Sequence, residues 1–160
     1  MKNLLCLGLT VGAVLLAFAA GSAAGADNPE SKEIPSMKLG AFSVSLNVKD
    51  IVASRAFYEK LGFRQVMGDA AQNWLILRNG ETTIGLFHGI FKGNLLTFNP
   101  GWTSQATPLK EFEDVRAIQR KLKASGLTLT TEADEATTGP ASLTLVDPDG
   151  NQILLDQHFN

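Results

Sequence analysis

The chain has 160 residues, 14 Lys and Arg against 16 Asp and Glu, a formal charge of −2 and a single cysteine. That balance offers no basic footprint for nucleic acid, and the length suits one domain with a core of its own. With Cys6 as the only thiol, no disulfide can form within the chain.

Met1-Lys2-Asn3 opens the sequence, followed by an apolar run from Leu4 to Ala20 and small residues ending in Ala24-Gly25-Ala26. A positive start, an apolar middle and an Ala-x-Ala exit describe a secretory signal peptide, residues 1–26, with cleavage after Ala26. The alternative is a membrane anchor, because Leu4 to Ala26 has the length for one span. Cys6 stands too early in the apolar run to suit lipid attachment. Cleavage removes that cysteine, and with it any thiolate nucleophile or Cys-ligated zinc. The expected location is periplasmic or secreted, with no membrane contact once the signal is removed. Residues 27–37 are polar, carry Pro29 and Pro35, and read as a flexible leader.

From Lys38 the pattern becomes periodic. Phe42, Val44, Leu46 and Val48 alternate with Ser43, Ser45 and Asn47, a half-buried strand with one polar face. Asp50 is placed to cap a helix that ends at Gly62. Phe63 to Met67 reads as a short strand. Trp74–Leu77 and Thr82–Phe87 form a hairpin around Asn79-Gly80, a two-residue turn signal.

After a Gly-, Pro- and aromatic-rich stretch, Leu95 to Phe98 is a short apolar run. Glu111 to Ser125 repeats apolar residues at three- and four-residue steps and stops at Gly126, the mark of a helix. Leu127–Thr131 is another strand. The chain closes with a hairpin from Ala141 to His158 around Asp147-Pro148-Asp149-Gly150-Asn151, where Pro presets φ and Gly supplies a positive φ. Gln152, Leu154, Asp156 and His158 share one face of its last strand. Strand, helix and three strands thus occur twice, over about 38–92 and 93–160.

Val48-x-Asp50, Ser54-x-x-Phe57-Tyr58, Leu61-Gly62-Phe63 and the closing Asp147-Pro148-Asp149-Gly150-Asn151 together resemble the vicinal oxygen chelate superfamily. Glyoxalase I, bleomycin-resistance proteins, fosfomycin-resistance enzymes and extradiol dioxygenases belong to it. The resemblance spans residues 38 to 158 and implies an α+β fold. Two βαβββ modules form a U-shaped, curled mixed sheet around a cleft, with the helices outside. In metal-using members four side chains of the cleft hold a divalent ion. The matching positions here are Ser43, Gly85, Leu95 and Leu154, none of them a usual ligand for such an ion.

The resemblance and strand parity together give a cleft lined by Ser43, Ser45, Asn47, Phe87, Thr97, Asn99, Leu154 and Asp156. Trp74 and Trp102 are candidates for its walls or lid. Neutral hydrogen-bonding groups, aromatic walls and one acid suit a small organic ligand. They equally suit the plain solvation of one sheet face. No cofactor is expected. Asp156 is the candidate general base; His88 and His158 are the remaining metal donors, more simply read as surface histidines.

Three functions are compatible with these features. The first is an exported binder of a small molecule, without a metal. The second is a metal-dependent lyase, isomerase or dioxygenase of the glyoxalase type with a displaced site. The third is a homodimer whose cleft is filled and whose role is interaction.

Overall fold

The computed structural model describes residues 36–160, so the expected signal peptide and nearly all of the leader lie outside the described residues. The first module runs β1 (Ala41–Asn47), α1 (Ile51–Lys60), β2 (Arg64–Asp69), β3 (Trp74–Asn79) and β4 (Thr82–Phe87). The second repeats the order with β5 (Leu95–Asn99), α2 (Val115–Ala124), β6 (Leu129–Thr131), β7 (Ala141–Val146) and β8 (Gln152–Gln157). All eight strands join one sheet in the order β2-β3-β4-β1-β5-β8-β7-β6. It is curled, open and mixed, the α+β architecture that the resemblance implies.

Within each module the first and last strands pair in parallel, β1 with β4 and β5 with β8. The modules meet where β1 runs antiparallel to β5, with Ser43 opposite Thr97 and Ser45 opposite Leu95. That register is symmetric about a point between the two pairs, so Ser43 and Leu95 hold equivalent places in the two modules. Ser45 and Thr97 are likewise equivalent.

Each module buries its own helix. Ile51 of α1 packs with Leu75, Leu77, Ile84 and Leu86, and Asp50 caps the helix by accepting from the N–H groups of Val52 and Ala53 at 2.9 Å. Val115, Ile118 and Leu122 of α2 pack with Leu143, Leu145 and Leu155. Phe42 lies on the apolar face of β1 without a helix over it. It is 48% exposed and leans on Phe98 with ring centroids 5.1 Å apart, because α1 lies on β3 and β4 and α2 on β7 and β8.

Helix α2 begins at Val115, four residues later than the apolar period suggests. Asp114 is its cap and accepts from the Arg116 N–H at 2.8 Å. Gln157, fully buried at the end of β8, accepts from the Val115 N–H at 2.8 Å and donates to Asp114, Gly139 and Phe159. Arg116, itself buried, ties Asp114 to the carbonyls of Asp134 and Gly139. Burial alone pushes the Asp114 carboxyl up, but bonds from the Arg116 N–H, Gln157 and the Arg116 guanidinium hold it below its ordinary value. The closing turn forms as expected, with Gly150 at φ +89° and Asp147 accepting from the N–H groups of Asp149 and Asn151.

Gln157→Ala strands the Val115 N–H and several acceptors in the interior, an expected loss of about 2–3 kcal/mol in urea unfolding. The lowered Asp114 carboxyl contributes stability that is present above its ordinary titration range and lost as pH falls through its lowered value. Acid unfolding of Asp114→Asn, followed by far-UV circular dichroism, should therefore be less steep than that of the parent. At the module seam, Ser45 and Thr97 share a buried 2.9 Å hydrogen bond. Ser45→Ala alone should cost about 1–3 kcal/mol, whereas Ser45→Ala with Thr97→Val should cost less than the two single changes added together.

Candidate functional site: an aromatic-walled cleft

Alternation along the strands sorts side chains between the helix-covered face and the other face of the sheet. The residues of β3 and β4 that avoid the helix, Trp74, Ile76, Arg78, Thr83 and Phe87, line a cleft on that other face. Ser43, Ser45, Leu95, Thr97 and Asn99 supply its floor from the two central strands. Leu154 and Asp156 of β8, and His158 beyond it, complete the far wall. The cleft is open and measures about 540 Å³, within the range of small-molecule sites.

Most of the residues expected at the cleft lie along it: Ser43, Ser45, Thr97 and Asn99 on the floor, with Trp74, Phe87, Trp102, Leu154 and Asp156 around them. Asn47 is absent from the lining. It is exposed, its N–H donates to the Asn94 side chain, and its register partner is Phe87. The Phe87 ring packs on Phe91 with centroids 5.0 Å apart, and both line the cleft.

Register also relates Ser43, Gly85, Leu95 and Leu154, the four positions at which the resemblance implies ligands in metal-using members. Gly85 pairs with Ser45 and Leu154 with Thr97, so Gly85 and Leu154 are equivalent in the two modules, as Ser43 and Leu95 are. Ser43, Leu95 and Leu154 line the cleft directly. At Gly85 an added Cβ would stand 2.4 Å from Phe87 Cε2, so the Phe87 ring fills the place of a ligating side chain. One hydroxyl and two isobutyl groups are not a donor set for a divalent ion. These positions do not fit a metal. Among the described residues no group of three or more His, Cys, Asp or Glu could hold one.

Asp156 and His158 come together, with Oδ2 and Nε2 3.5 Å apart. Nε2 also lies 3.3 Å from Asn99 Oδ1, and the Trp102 ring meets the imidazole edge-on at 5.8 Å. His88 is elsewhere. Its Nδ1 lies 2.9 Å from the Val48 carbonyl and it does not line the cleft. A carboxylate beside an imidazole can accept or relay a proton, or add two donors to an ion held by others.

Several lining residues lie outside the set named from the sequence. Ile76 and Arg78 follow from Trp74 by the two-residue period of a strand, and Thr83 follows from Phe87 in the same way. Val66 and Met67 both reach the cleft although they are neighbours. The register shift between Gln65 and Met67 interrupts the alternation there. Ile90, Phe91, Thr103 and Ser104 arrive from loops, where no period exists to find them.

The family model described as the Glyoxalase/Bleomycin resistance protein/Dioxygenase superfamily matches residues 40–155. No curated protein matches the sequence. A solved superfamily member from Vibrio splendidus is similar at 15% identity over 72% of this chain and 97% of its own, with a TM-score of 0.51. A structure described as an NAD-dependent benzaldehyde dehydrogenase from Legionella pneumophila is similar at 16% identity over 73% and 98%, with a TM-score of 0.55. At such identities the likeness is one of fold. The family match covers most of the chain, and the chain belongs to the glyoxalase/bleomycin resistance protein/dioxygenase superfamily.

Proposed function

We propose that this chain is an exported binder of small organic molecules that works without a metal. The observation that carries the reading is the cleft floor. Ser43, Gly85, Leu95 and Leu154 stand at the four equivalent positions, with Phe87 folded over Gly85, inside an open cavity of about 540 Å³. An apolar ligand entering it displaces water from Leu95, Leu154, Ile76 and the aromatic walls, each buried Å² contributing roughly 25 cal/mol. Ser43, Asn99 and Thr83 offer hydrogen bonds that orient it. Export is supported by residues 1–26, whose charged start, apolar middle and Ala-x-Ala exit suit a secretory signal.

A second reading, a lyase, isomerase or dioxygenase with a displaced metal site, is favoured by the Asp156–His158 pair in the cleft. Two donors fall short of the three protein ligands usual in a catalytic zinc site, and His88 lies outside the cleft lining.

Trp74 and Trp102 are the chain's two tryptophans, and both line the cleft. Titration with the neutral probe N-phenyl-1-naphthylamine should quench their emission saturably, with one site and a Kd of about micromolar order. Linear, unsaturable quenching would remove the binding reading.

A further inference from the structure

Arg78 sets a guanidinium into the cleft wall. It is half-buried on β3 and lines a cavity whose other walls are mainly apolar. Its Nε donates to Thr83 Oγ1 at 3.4 Å and its Nη1 to the Gln105 carbonyl at 3.1 Å. Both acceptors are neutral. Among the described residues no carboxylate lies within ion-pair distance of it. Its register partner across β2 is Arg64, a like charge that no carboxylate in those pairs offsets either. Like charges placed opposite one another on paired strands repel. A guanidinium keeps its charge at any working pH and presents a planar fork that matches an oxyanion. A half-buried guanidinium whose acceptors are neutral keeps its charge uncompensated by the protein and could meet an anion in the cleft.

The surroundings set the shape of the anion's carrier. Arg78 pairs with Thr83, and Thr83 lies beside Ile84, the register partner of Val44. A line of hydroxyls, Thr83, Ser43 and Thr97, therefore crosses the floor from Arg78 to Leu154. Along β3 and β4, Ile76 and Gly85 come next, then Trp74 paired with Phe87. Four residues of strand separate Arg78 from Trp74, roughly 13 Å at ordinary strand spacing. An anionic head on the guanidinium thus continues into an apolar, aromatic-walled slot long enough for one or two fused rings. Asp156, the acid of the cleft, stands on β8 beside His158 and across the two central strands from β3. Arg78 is the only charged residue that β3 contributes to the lining.

We propose that the ligand class of this cleft is an aromatic organic anion, a carboxylate, sulfonate or phosphate on a flat ring system, with its charged group on Arg78. This rests on the proposed binding function and narrows it.

A matched pair of probes tests it. 8-Anilinonaphthalene-1-sulfonate and N-phenyl-1-naphthylamine share their aromatic skeleton and differ by one sulfonate. The full chain should bind the sulfonate at least about tenfold more tightly, the size of a charge-assisted hydrogen bond. That preference should shrink as salt is raised, because part of it is screened. Arg78→Gln should lose the preference while keeping its affinity for the neutral probe, which also shows that the cleft has folded. Arg78→Lys keeps the charge without the planar fork and should recover part of the preference. Equal affinity of the parent for the two probes overturns the proposal and leaves the binding function standing. So does a sulfonate affinity indifferent to Arg78→Gln. Failure of the parent to bind either probe overturns both.

Discussion

Everything about the cleft follows from one pairing, the antiparallel contact of β1 with β5. Each module has its own helix and its own apolar cluster, and the sheet becomes continuous between them only along this seam. Because the register places Ser43 opposite Thr97 and Ser45 opposite Leu95, the odd-numbered side chains of both strands turn to the same face. A slip of one residue along either strand would turn that strand's hydroxyls off the cleft face and bring its apolar neighbours, Val44 on β1 or Phe98 on β5, onto it. The buried Ser45–Thr97 bond lies in this seam, where a mispaired hydroxyl would be left without a partner.

That register makes the identity of the floor residues consequential. A ring of carboxylates and imidazoles requires an ion to offset its mutual repulsion. Ser43, Gly85, Leu95 and Leu154 carry no charge, so these four positions set up no repulsion for an ion to offset. Phe87 occupies the space beside one of them, Gly85. Its ring lies over the backbone of Gly85, which is possible only because Gly85 has no Cβ to meet it. The outcome is an open cavity with a largely apolar lining, a few floor hydroxyls and one guanidinium, Arg78, on the β3 wall.

Much of this was legible in the sequence, because the relevant signals are local. The alternation from Phe42 to Val48, the Asn79-Gly80 turn and the Asp147–Asn151 turn each specify their structure within a few residues. What was hidden depends on partners far along the chain. Helix α2 starts at Val115 because Gln157, 42 positions later, accepts its N–H. Phe42 is exposed because neither helix lies over the seam, a fact of packing that no strand period encodes. Val66 and Met67 enter the cleft together through a register shift. Arg78 was within reach by parity from Trp74, but a single arginine on a strand carries no mark of an absent counter-ion.

The proposed function requires a cleft that takes an organic molecule and holds no metal. Its most direct test is elemental analysis of the purified protein after exposure to Ni, Zn, Mn and Fe and exhaustive dialysis without chelator. A metal-free cleft gives metal content far below stoichiometric for every ion. One tightly held divalent ion per chain, lost on Asp156→Ala or His158→Ala, would contradict it.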